Sequence, residues 1–165
     1  MTKLLLSIHV LASILVVGPI AVAASLFPRY ARKAAEEDGR SAAVAALLHR
    51  ICGGYAIVGV AVPVFGIATG KQLGVLTDAW LLTSIGLTAI AAAILALAIL
   101  PGQESMIEAS ASASASGAGA GAEAGAGADM ARTAARLGGL TGVFNLLWAV
   151  VVVLMIVRPG STTGA

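Results

Sequence analysis

The sequence predicts an all-α protein, a bundle of four membrane-spanning helices, and three observations predict it. Hydrophobic residues make up 59% of the chain and charged ones only 11%, against roughly 25% charged residues in soluble domains. The charges fall between four apolar runs, 4–27, 51–70, 79–100 and 137–157, each long enough at ~1.5 Å per residue to cross a hydrocarbon core of ~30 Å. Lipid offers no partner to a free backbone amide or carbonyl, so runs of this length are helical despite their Val, Ile and Gly content.

The first run, Leu4 to Phe27, holds one ionisable group, His9. Lys3 precedes it, Gly18-Pro19 interrupts it, and the basic stretch Pro28-Arg29-Tyr30-Ala31-Arg32-Lys33 stops it. Its small residues Ala21 to Ala24 also suit a cleavable signal peptide. Charge favours an uncleaved span: the connection that follows carries five basic residues, Arg29, Arg32, Lys33, Arg40 and Arg50, and basic loops stay in the cytoplasm. Within that connection the Ala-rich flanks, Tyr30 to Ala35 and Ser41 to Leu48, predict a helical hairpin around Glu36-Glu37-Asp38-Gly39, because Ala has the best helix propensity and Gly breaks it.

The second run carries Gly53, Gly54, Gly59, Pro63, Gly66 and Gly70. Gly66 and Gly70, like Gly138 and Gly142 in the fourth run, stand at the small-xxx-small spacing through which helices pack closely, within one chain, in a homo-oligomer or against a membrane partner. A helix broken at Pro63 to receive an ion is the alternative. Between the third and fourth runs lies a Ser/Ala/Gly-rich stretch, 105–129, in which Ser alternates with Ala from Ser110 to Ser116 and Gly with Ala from there to Ala128. This composition predicts a disordered linker, since it buries too little apolar surface to offset chain entropy.

With the first connection inside, seven basic residues face the cytoplasm and three, Lys3, Lys71 and Arg158, face out. The expectation is a multi-pass protein of a bacterial inner membrane with both termini outside and the lipid bilayer as its principal partner. The polar residues inside the spans are few. His9, Ser13 four residues on, Thr83, Ser84, Thr88 and Asn145 are the ones that a shared pocket would use; the bland alternative is that each hydroxyl bonds its own helix. An intramembrane histidine is a candidate functional residue because placing it there is costly. His9 is read either as structural, as a haem or metal ligand, or as a proton relay, with Ser13 and Asn145 as supporting groups. His49 lies at the cytoplasmic end, too far away to share a ligand with it.

The remaining classes are thinly supported. The single cysteine, Cys52, excludes an internal disulfide and a thiolate metal site. No phosphate-binding loop, dinucleotide fingerprint, nucleophile elbow or zinc-protease motif occurs, and no basic patch interleaved with aromatics suits nucleic acid. No catalytic residue is assigned.

The stretch Leu5 to Pro19 resembles the first helix of a bacterial four-span family described only as predicted integral membrane proteins of unknown function, and Leu147 to Pro159 is similar to that family's last helix. More distantly, the early His and Leu26-Phe27-Pro28-Arg29-Tyr30 resemble the membrane protoporphyrinogen oxidases; the copper-resistance D type proteins share the early His. The resemblance implies haem at His9. The oxidases also require a third-helix Lys, and none stands between Ala79 and Gln103. The reading is thus a non-enzymatic or accessory membrane component, with a haem-binding redox protein and a small transporter subunit as alternatives.

Overall fold

The computed structural model describes residues 2–36, 39–116 and 120–160. Among these there is no strand, and four helical rods are long and apolar enough to span a bilayer: Lys3–Ala34, Gly39–Leu73, Ala79–Ser112 and Gly127–Val157. The first rod is α1 (Thr2–Glu36); the second is α2 (Gly39–Gly59) and α3 (Ala61–Leu73); the third is α4 (Ala79–Ile94), a π-helical turn at Leu95–Ile99 and α5 (Leu100–Ser116); the fourth is α6 (Ala120–Val157). All four reach beyond the apolar runs that predict them, because good helix formers continue each helix into the connections. The helical flanks expected around Gly39 are present, and residues 37–38 at the tip of that hairpin lie outside the described residues.

α1 is the hub, packing on α2, α3, α5 and α6. Its buried residues Val16, Ile20, Ala23, Ala24, Phe27, Ala31 and Ala34 recur three or four apart, one stripe of a 3.6-residue helix. Small alanines on this stripe let neighbouring backbones approach, which is how helices gain contact in lipid. Opposite them lie Cys52 from α2, Ile99 from the π turn, Met106 from α5 and Phe144 from α6. Leu11, Ile14, Leu15 and Val22 face away from the bundle and are more than half exposed, the expected arrangement where lipid replaces water.

Residues 105–129 differ from expectation. Where described they are helical, 105–116 completing α5 and 120–129 opening α6, while 117–119 lie outside the described residues. Extending an existing helix avoids the nucleation cost that an isolated Ser/Ala segment would bear. Burial adds a second reason, since Met106 and Ser110 are 2% and 6% exposed and the Ser110 hydroxyl donates to the Met106 carbonyl.

Candidate functional site

The second rod breaks at Val60, and Pro63 explains the position. Proline has no N–H to give the carbonyl four residues earlier, that of Gly59, and its ring crowds that carbonyl. Beyond the break, α3 presents Gly66 to α1: a Cβ built there would stand 2.9 Å from Cε1 of His9. The imidazole therefore lies against bare backbone. Its Nδ1 is 2.9 Å from the Val62 carbonyl oxygen, which only accepts, so Nδ1 carries the proton and Nε2 keeps its lone pair. His9 belongs to the buried stripe of α1, seven residues before Val16, and is 7% exposed.

His9 lines a cavity of about 560 Å³ at the end of the bundle where α1 begins and α6 ends. α1 contributes Leu6, His9, Val10 and Ser13, α3 contributes Thr69, and the last turn of α6 contributes Met155 and Ile156. The Ser13 hydroxyl donates to the His9 carbonyl and that of Thr69 to the Phe65 carbonyl, which commits both O–H donors and leaves His9 Nε2 without a protein partner among the described residues, in a mostly apolar, partly open cavity. The α3–α4 connection forms one margin. Gly74, at φ 71°, caps α3, with the Val75 amide reaching back to the Gly70 carbonyl, a left-handed close that glycine adopts at little strain.

Trp80 and Arg158 also line the cavity. The indole N–H of Trp80 donates to Asp78 at 3.0 Å, and the Arg158 guanidinium carbon lies 5.7 Å from the ring centroid, within cation–π range. Arg158 is also the one non-glycine residue with positive φ, 45°, among the described residues. Such a backbone costs an L-residue roughly 1–2 kcal/mol. Its amide closes the end of α6 on the Leu154 carbonyl, and its Nε donates to the Met155 carbonyl.

Of the residues singled out in the sequence, His9 and Ser13 both line the cavity, and the Ser13 hydroxyl bonds a carbonyl of its own helix. Asn145 does not join them. Its side-chain amide is 3.5 Å from the Ser25 hydroxyl, sixteen residues and about 24 Å along α1 from His9. α6 runs antiparallel to α1, so the residues it brings to the His9 cavity are Val152 and Met155 to Arg158. Thr83, Ser84 and Thr88 bond carbonyls of their own helix, and none lines the cavity. The paired glycines part company as well: Gly66 meets His9, Gly70 meets Leu81, and no atom lies within 4 Å of a Cβ placed at Gly138 or Gly142. No group of three or more His, Cys, Asp or Glu suited to a metal ion occurs among the described residues.

A second polar cluster was not anticipated. Gln103, 1% exposed, donates from Nε2 to Cys52 Sγ at 3.6 Å and accepts from His49 Nδ1 at 3.1 Å, tying α5 to α2. Its only sequence signal is a lone amide directly after Pro101-Gly102. Arg158 and Trp80 were equally invisible as a pair, being 78 positions apart in the numbering. No protein-family model, curated protein or solved structure matches the chain.

Proposed function

We propose that this is a non-enzymatic component of a bacterial inner membrane that binds a lipophilic small molecule in the His9 cavity. The observation that carries the reading is the fixed imidazole: Nδ1–H is held by the Val62 carbonyl and Nε2 is left, among the described residues, without a protein partner in a mostly apolar cavity. A volume of about 560 Å³ falls within the roughly 300–1,000 Å³ of small-ligand sites. The distribution of basic residues supports an orientation that places this cavity, with both termini, on the outer side.

A second reading, haem as that ligand, is favoured by the same imidazole. Metal-ligating histidines characteristically donate their other ring N–H to a carbonyl or carboxylate, which holds the ring and raises its basicity. His9 Nε2 would hold the iron, Met155 in the wall carries a thioether, and the apolar side chains of α1 and α6 would exclude water. Bound haem would supply one-electron chemistry. The absorption spectrum of protein purified from haem-replete cells tests this: a Soret band lost in His9→Ala supports it. A colourless protein after haem reconstitution, with a normally stable His9→Ala variant, removes haem and leaves the wider reading to ligand binding itself.

A further inference from the structure

The cavity has one formally charged residue in its wall, Arg158. The polar groups that face it from each element are few: His9 and Ser13 from α1, Thr69 from α3, the Trp80 indole from α4 and Arg158 from the end of α6. Both hydroxyls and the indole N–H are committed to protein acceptors. Arg158 is held differently. Its Nε donates to the Met155 carbonyl and its guanidinium faces Trp80, but among the described residues it is in no salt bridge; the pair found there is Arg132 with Asp129, far along α6. Asp78, the nearest carboxylate in sequence to Trp80, accepts the indole N–H instead.

An arginine fork without a carboxylate among the described residues, set in the wall of an apolar cavity at the end of a spanning helix, matches a ligand with one acidic end and one greasy end. The fork geometry binds carboxylate or phosphate oxygens two at a time. The left-handed backbone at Arg158 sets where the side chain leaves the helix, and strained residues of this kind concentrate at ligand clamps. Resting on the reading of this cavity as a ligand site, we infer that Arg158 is its anion anchor and that the ligand is a lipophilic carboxylate or phosphate. The acidic group sits at Arg158 beside Trp80, and the apolar body lies between α1, α3 and α6 towards His9.

Trp80 in the wall provides the readout. In a Trp148→Phe background Trp80 is the sole indole, since the chain has two tryptophans. The protein in nanodiscs of neutral lipid is titrated with bromine-labelled stearic acid, the matching stearyl alcohol, and bromine-labelled phosphatidylglycerol. The expected result is saturable quenching by the acid, at least about tenfold weaker binding of the alcohol, loss of that preference in Arg158→Gln, and only partial retention in Arg158→Lys, which keeps the charge and lacks the fork. Saturation by phosphatidylglycerol and not by the free acid, again weakened in Arg158→Gln, identifies the anion as a bilayer headgroup. Acid and alcohol binding alike, unchanged in Arg158→Gln, overturns the anchor and leaves the cavity as a ligand site. Quenching that saturates with none of the three overturns both. Should Arg158→Gln not fold, the acid-to-alcohol comparison in the parent protein decides.

Discussion

His9 and Val62 join α1 to α3 through a 2.9 Å hydrogen bond, made just past the point where Pro63 breaks the second rod. The bond fixes the imidazole tautomer, and Gly66 fixes the ring's position by offering no side chain.

The contact with Gly66 predicts that Gly66→Ala is disruptive, because its Cβ would stand 2.9 Å from the imidazole. Overpacking of this kind costs about 1–3 kcal/mol. Gly18→Ala, with nothing within 4 Å, is expected to be neutral or to gain up to ~1 kcal/mol from helix propensity. Thermal unfolding of the two variants in the same detergent makes the comparison; equal melting temperatures would contradict the packing.

Gln103 links His49 and Cys52 in a buried cluster. Hydrogen bonds between membrane helices average only ~0.6 kcal/mol and reach ~1.7, so Gln103→Leu should destabilise modestly. A double-mutant cycle with His49→Leu should show positive coupling. Additive effects would mean that the two side chains do not interact.

The hydroxyl of Thr141 predicts the opposite sign. Thr141 is 2% exposed, and its Oγ1, with Asn145 Oδ1 and Trp148 Nε1, has no hydrogen-bond partner. Replacing an unpaired buried hydroxyl by a methyl of the same shape is neutral or stabilising. Thr141→Val should therefore hold or raise the melting temperature, and a fall of several degrees would reveal a partner for the hydroxyl.

Met106 tests whether 105–116 packs as a helix or hangs as a linker. Buried as it is, Met106→Ala should cost about 2–5 kcal/mol, whereas substitutions at the exposed Ala111 should cost almost nothing. An unchanged unfolding curve for Met106→Ala would return the segment to the disordered reading.

Orientation is checked independently of packing. The balance of seven basic residues against three predicts that a reporter fused after Ala165 is active only if it is of the exported type. Activity of a cytoplasmic reporter there would invert the protein and place the His9 cavity on the inner side.

What the sequence by itself determined is the class of object and the residue to watch. Four charge-free runs dictate four helices because lipid forbids any other backbone solution, and a histidine inside the first of them is conspicuous by its cost. Depth along one helix is also local information, so Ser13 beside His9 was legible. Relations between helices were not. An apolar helix shows no contrast between its lipid-facing and protein-facing sides, because both surroundings reward the same side chains; hydropathy therefore could not say that Gly66 receives the imidazole while Gly138 and Gly142 meet nothing, that Asn145 lies with Ser25, or that Arg158 closes over Trp80. The described residues of 105–129 are helical for a related reason: the composition alone lacks the means to fold, and the rods they extend, with the neighbours that cover Met106, supply them. Tertiary structure decided these points because they depend on which helix lies next to which, a property set by packing and by the break at Val60.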